Sequence, residues 1–174
     1  MNDEAKLGFG TRCLHVGQGP DPETGAAAPP IYQTSSYEFP DADTAAARYA
    51  LEDEGNVYSR ISNPTVRALE ERLASLEGGV DALATAAGMG ALDAATSVLA
   101  ETGDNVVCAS SVYGGTHGYL SHTAARRGIE ARFVDTLDPE AYAEAIDENT
   151  AYVHCETVAN PALVTPPFEE IARV

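Results

Sequence analysis

Tyr58-Ser59-Arg60-Ile61-Ser62-Asn63-Pro64-Thr65 opens the regular part of this chain. Asn63 is well suited to cap a helix, and Pro64 supplies a helical φ at the first position, where its missing N–H costs nothing. Val66, Leu69, Leu73 and Leu76 then recur at helical spacing on one face, until Gly78-Gly79 ends the run. Tyr58 and Arg60 fall in the loop that feeds this helix. A guanidinium fork matches a phosphate, and a phenol can add one more donor. A surface arginine paired with a nearby glutamate is the other reading that the stretch allows.

Downstream, apolar strand-like runs alternate with helical patterns. Ala82–Ala86 is apolar and precedes Gly88-Met89-Gly90, after which a helix is expected from about Ala91, with Leu92, Ala95, Val98 and Leu99 inward. Asn105–Ala109 reads as a short buried strand, and a helix capped near Thr116 runs to Arg126-Arg127-Gly128. A strand over Ile129–Val134 follows, then a helix from Asp138-Pro139 to Ile146, a strand over Ala151–Cys155 and a helix from Phe168. Such alternation with tight links predicts an α/β layer on a largely parallel sheet, assigned to residues 61–174. Residues 1–60 lack this regularity. Pro20, Pro22, Pro29, Pro30 and Pro40 interrupt them, and only Asp41–Leu51 looks helical. Ile31, Tyr32, Tyr37 and Phe39 make this N-terminal arm apolar enough to lie across a neighbouring subunit.

The charge balance excludes one class of partner. With 27 acidic residues against 10 basic ones, the net charge is −17, and nucleic-acid binding needs a basic footprint. Nine of the ten cations are arginine, Lys6 being the lone lysine. A dispersed acidic surface nearly without lysine suits work in concentrated salt, where screening removes self-repulsion. No apolar run is long enough for a membrane helix, and the acidic N-terminus does not read as a secretory signal. Cys13, Cys108 and Cys155 lie far apart, without paired spacing, which fits reduced thiols in a cytoplasm. The four histidines show no ligand spacing, so no metal is expected.

Three loops follow the expected strands, and ligands of open α/β sheets bind beyond the strands' carboxyl ends. Ala87-Gly88-Met89-Gly90 lets a backbone approach closely at a helix start that attracts phosphate; it also reads as a tight turn with no ligand. A dinucleotide fingerprint would put its third glycine where Asp93 stands, which disfavours a nicotinamide-binding domain. Val112-Tyr113-Gly114-Gly115-Thr116 offers an aromatic platform for a planar ring, or merely a turn. Asn160, before Pro161, can give its amide to a ring substituent or close an Asx-turn. Together these parts suit a phosphorylated aromatic cofactor, and pyridoxal phosphate is the natural candidate.

At this point the chain resembles the N-terminal part of the Cys/Met-metabolism family of pyridoxal-phosphate enzymes. The likeness rests on Leu14-His15-Val16-Gly17-Gln18, Pro30–Tyr37, Tyr58–Thr65, Leu76-Glu77-Gly78-Gly79, Gly88-Met89 and Tyr113–Thr116. It implies fold type I, a three-layer α/β/α arrangement on a largely parallel sheet, here truncated. It also implies that Tyr58 and Arg60 reach the cofactor phosphate of the neighbouring subunit, in a dimer or tetramer. Gly88 and Met89 would give backbone N–H groups to the phosphate of their own subunit. Tyr113 would stack on the pyridine ring and help to move protons, and Asn160 would bond the ring's 3-oxygen. Within the family, Gln18–Pro22, Thr24-Gly25, Ile31–Tyr37 and Glu156-Thr157 look most like O-acetylhomoserine sulfhydrylases. Cystathionine γ-synthase or γ-lyase and methionine γ-lyase are the alternatives on the same scaffold, beside a non-catalytic partner of a longer paralogue.

One departure carries weight. Family members need a lysine to hold the cofactor's aldehyde, and an arginine cannot replace that amine. Lys6 sits on an acidic terminus with nothing to place it in a pocket, so these 174 residues alone are expected to be catalytically inactive, as the front portion of an interrupted gene or one piece of a split enzyme.

Overall fold

The structure, a computed structural model, describes residues 7–135 and 137–174. It divides into two compact units, Met1–Ala84 and Thr85–Val174.

In the first unit, α1 (Phe9–His15) packs on α3 (Pro64–Glu77), and α2 (Ala42–Tyr49) lies between them in sequence. The local rules read from α3 hold. Asn63 accepts a hydrogen bond from the Thr65 N–H at 2.9 Å, Pro64 occupies the first turn, and Gly78 closes the helix at φ +71°. Its buried face is not the leucine stripe. Val66, Leu69 and Leu73 are exposed, whereas Ala74 is buried. The reason is close approach: Gly17, at φ +78°, brings the backbone so near that a Cβ there would lie 2.3 Å from the Ala68 carbonyl oxygen. Only the small-residue face of α3 accepts such a neighbour. Arginines secure the contact, with Arg12 donating to the Ser75 carbonyl and Arg72 Nε to the Val16 carbonyl at 2.9 Å. In α2 the Asp41 side chain caps the Thr44 N–H at 2.7 Å, and that bond holds the Asp41 carboxyl below its ordinary range.

The second unit holds a three-stranded parallel sheet in the order β2-β1-β3, from β1 (Asn105–Ala109), β2 (Glu130–Val134) and β3 (Thr150–His154). Every residue of β1 is buried, as a central parallel strand requires, and the flanking strands are only partly covered. Val106, Val107, Cys108, Leu120, Tyr142 and Ile171 belong to the core around it. The helices are α4 (Gly88–Leu99), α5 (Gly114–Gly118, continued as a π-helical turn through Tyr119–Ala124), α6 (Pro139–Ala145) and α7 (Phe168–Ile171). Gly128, at φ +80°, ends the α5 segment beside Thr102, as the Arg-Arg-Gly sequence predicts. The expected α/β class is thus present.

Two expectations change. Ala82–Ala86 forms no strand, because no strand among the described residues lies alongside to share its ladder, and Leu83 is exposed. Nor does α4 bury Ala95, Val98 and Leu99. Val98 is 85% exposed, and the fully buried residue is Thr96. A hydroxyl fits there because it meets another: Thr96 Oγ1 donates to the Leu92 carbonyl at 2.8 Å and lies 2.7 Å from the Tyr152 hydroxyl of β3.

The amino ends of the strands are tied by charge. Asp147 accepts from Arg132 Nη1 at 2.7 Å, from the Asn105 side-chain amide at 2.8 Å and from the Asn149 N–H at 2.9 Å. Those partners, the arginine first, hold its carboxyl down at about 2. Asn105, buried in β1, in turn accepts from Thr150 Oγ1 at 2.8 Å, so one residue from each strand meets around this acid.

Candidate functional site

Because β1 and β3 are parallel neighbours, the loops leaving their carboxyl ends emerge side by side. The first carries Tyr113 and the second Asn160, which precedes Pro161 through a cis peptide bond. Glu156, half-buried between them in sequence, joins both. Its Oε1 accepts the Tyr113 N–H at 2.8 Å and the Thr116 hydroxyl at 3.4 Å, and its Oε2 accepts the Asn160 N–H at 3.3 Å.

The third predicted element adjoins the first. α4 begins at Gly88, earlier than the expected Ala91, and Ala87 gives it no side-chain cap. Gly90 and Ala91 donate to the Ala87 carbonyl at 2.9 and 3.2 Å. The N–H groups of Gly88 and Met89 come before any intrahelical acceptor, and so point out of the helix end together with its positive dipole. Gly115 connects this end to the tyrosine. A Cβ at 115 would lie 2.3 Å from Tyr113 Cε1 and 3.2 Å from Met89 Sδ. The Tyr113 ring therefore rests on a glycine with Met89 beside it, and it remains half-exposed at 50%. Gly88, Met89, Tyr113 and, through Glu156, Asn160 thus occupy one end of the sheet. A helix start open to an anion, a ring face held by a glycine and an exposed amide form a cradle that fits a phosphate joined to a planar ring.

Tyr58 and Arg60 belong to the first unit. The Arg60 guanidinium carbon lies 5.0 Å from the centroid of the Tyr58 ring, and among the described residues no carboxylate pairs with it. The alternative of a surface ion pair with glutamate is not seen among the described residues. Their loop is fixed by Ser59, whose N–H donates to the Ser35 carbonyl at 2.9 Å, and by an antiparallel bridge between Ser36 and Tyr58.

At the sheet end Cys108 belongs to the apolar core, and Cys155, just past β3, packs against it. Burial pushes the Cys108 thiol up to about 12, with Cys155 and Glu156 adding to the shift, and burial also raises Cys155. Both stay protonated at neutral pH, unfit as nucleophiles. Burial lowers the His154 imidazole against the opposing pull of Glu156. Among the described residues no group of His, Cys, Asp and Glu could hold a metal ion, and no helix is long and apolar enough to cross a membrane. Lys6 lies outside the described residues.

Sequence reading picked out both loops but missed what connects them. Glu156 entered only as a mark of family branch, and Gly115 only as part of a turn. An acid two residues past a strand of the sheet, at the end where ligands bind, was the available signal for the first. The second had none, because the need for glycine comes from where the Tyr113 ring falls.

Comparison with known proteins places the sequence and the fold in one family. The family model described as Cys/Met metabolism PLP-dependent enzyme matches residues 10–174. An O-acetyl-L-homoserine sulfhydrylase of Leptospira meyeri is 45% identical over 164 residues, 94% of this chain and 37% of its own length. The sulfhydrylase FUB7 of Fusarium oxysporum is 44% identical over 174 residues, all of this chain and 40% of its own length. A crystal structure described as an O-acetylhomoserine (thiol)-lyase of Campylobacter jejuni, containing a pyridoxyl-lysine monophosphate, superposes with a TM-score of 0.86 at 40% identity, over 96% of this chain and 41% of that one. The chain thus spans about two fifths of the length of these relatives. With the family model, the relatives and the fold in agreement, the chain belongs to the Cys/Met metabolism family of pyridoxal-phosphate-dependent enzymes.

Proposed function

We propose that these residues are the N-terminal part of an O-acetylhomoserine sulfhydrylase, which exchanges acetate for sulfide or a thiol to form homocysteine or methionine. Bound at the sheet end, pyridoxal phosphate supplies the electron sink for that γ-replacement. This chain's residues do the holding. Gly88 and Met89 offer N–H groups to the phosphate, and Tyr113 presents its ring face and a phenol able to carry a proton. Asn160 offers its amide to the ring's 3-oxygen. Tyr58 and Arg60 are assigned to the phosphate of a neighbouring subunit in a dimer or tetramer, with residues 1–60 as the arm that delivers them. Arg60, resting on a ring rather than a carboxylate, is free for that use. The acidic surface suits a cytoplasm of high salt content.

The observation that carries the reading is Gly115, which seats Tyr113 beside Met89 at the uncapped start of α4. Since Lys6 is the only lysine here, these residues by themselves are expected to bind the cofactor without turnover. Titration of the chain with pyridoxal phosphate, followed by cofactor absorbance and induced circular dichroism, should give a saturable complex. Tyr113→Ala and Gly115→Val should weaken it, and NAD should leave it unaffected. In a longer chain bearing the missing lysine, O-acetylhomoserine plus sulfide should yield homocysteine and acetate. Elimination from cystathionine or methionine, with no sulfide-dependent product, would instead place the protein among the γ-lyases.

A further inference from the structure

We infer that Glu156 is a positioning residue that sets the spacing between the two ring-binding loops, one carboxylate oxygen holding each. The inference rests on the cofactor reading above and extends it to a residue that meets neither phosphate nor ring. Oε1 takes the β1 loop, through the Tyr113 N–H at 2.8 Å and the Thr116 hydroxyl at 3.4 Å. Oε2 takes the β3 loop, through the Asn160 N–H at 3.3 Å. The Tyr113 ring and the Asn160 amide are exposed, and the acid that spaces them is half-buried.

The chemistry of the group explains why a carboxylate occupies this place. An ionised carboxylate is acceptor-only on both oxygens, so it can satisfy N–H donors from two directions at once. A carboxamide of the same shape offers one oxygen and one NH2. It can hold one loop, but it turns a donor toward the other loop's donor. Aspartate lacks a methylene of the reach. The β3 loop has two further ties close by, both within the loop itself: the Ala159 N–H to the Val164 carbonyl at 2.9 Å and the Leu163 N–H to the Ala159 carbonyl at 2.7 Å, neither of which reaches the Tyr113 loop. The separation of the Tyr113 loop from the Asn160 backbone is therefore set at Glu156. A planar ring that must face the phenol while meeting the amide needs that separation fixed beforehand, because ordering it on binding would cost affinity.

Three measurements on the whole chain test this, with Glu156→Gln and Glu156→Ala beside the unsubstituted protein. In amide hydrogen exchange without ligand, Glu156→Ala should speed exchange at both Tyr113 and Asn160 about tenfold or more. Glu156→Gln should do so at one of them only. In titration with pyridoxal phosphate, both variants should bind about tenfold more weakly. With inorganic phosphate as probe, the shifts of the Gly88 and Met89 amide resonances should be unchanged, since that end of α4 does not depend on the tie. Far-UV circular dichroism shows that the variants are folded. Unchanged exchange at both amides in Glu156→Ala would overturn the inference. So would freed amides with undiminished pyridoxal phosphate affinity, which would leave a purely structural tie. Failure of the unsubstituted chain to bind pyridoxal phosphate would overturn the cofactor reading, and the ring-spacing role with it. The exchange data identify that case, since they report the tie whether or not a ligand binds.

Discussion

Asn63 reaches the Tyr32 carbonyl with its side-chain amide at 2.9 Å while the oxygen of the same side chain caps α3. The amide also donates to Ser59 Oγ at 2.9 Å, so one buried residue starts the helix and pins the loop that carries Tyr58. Asn63→Asp keeps the cap and turns a carboxylate toward a carbonyl. Asn63→Ala removes both roles. In urea unfolding followed by circular dichroism, Asn63→Ala should cost about 2 kcal/mol and Asn63→Asp about 1 kcal/mol. Both should speed amide exchange at Ser59. An Asn63→Asp chain as stable as the parent, with Ser59 still protected, would rule out the second role.

Gly115→Ala places a methyl where Tyr113 Cε1 would be 2.3 Å away. The ring is half-exposed and can swing aside, so fold stability should change by less than about 1 kcal/mol. The displaced ring no longer faces the α4 start, and pyridoxal phosphate should bind about tenfold more weakly by absorbance titration. Equal affinity would mean that ring placement is irrelevant to the site.

Thr96→Val takes its partner from the part-buried Tyr152 hydroxyl and should destabilise by about 1 kcal/mol in chemical denaturation. Tyr152→Phe in the same chain removes that hydroxyl, so the double variant should recover much of the loss. Simple additivity would show that the two hydroxyls do not depend on each other.

Asp147 makes stability sensitive to acid. Its carboxyl is held at about 2, below the ordinary 3.8, first by Arg132 and then by Asn105. The unfolded chain therefore takes up this proton before the folded one does. The contribution is complete above about pH 4 and disappears as pH falls toward 2. Subtracting the pH profile of Asp147→Asn from that of the parent should isolate a slope confined to that window. Parallel profiles would exclude the acid as its source.

Legibility in the sequence followed the range of the forces. Asn63, Pro64 and Gly78 act within a turn of themselves, and they marked α3 without error. β1 was legible because Val106–Ala109 is an unbroken apolar run, as a central parallel strand favours. Which face of a helix is buried depends on the neighbour, so the leucines of α3 and Val98 of α4 were misplaced: Gly17 selects the small face of α3, and Tyr152 accepts a threonine from α4. Ala82–Ala86 has a strand's composition, but pairing is a property of two segments. At the site, the loops were visible by their glycines, Tyr113 and Asn160. Glu156, which acts across 43 residues to reach Tyr113, was not visible as a partner.

Arg60 rests on the phenol ring of Tyr58. An arginine clasped by aspartate must give up that partner before it can greet an incoming anion, and in a chain so rich in acids such capture would be easy. A ring leaves the full positive charge unneutralised, and its pull on the cation owes less to long-range fields that dissolved ions damp. The guanidinium therefore stays available in dilute buffer and in brine alike, with no carboxylate among the described residues of its own unit to displace.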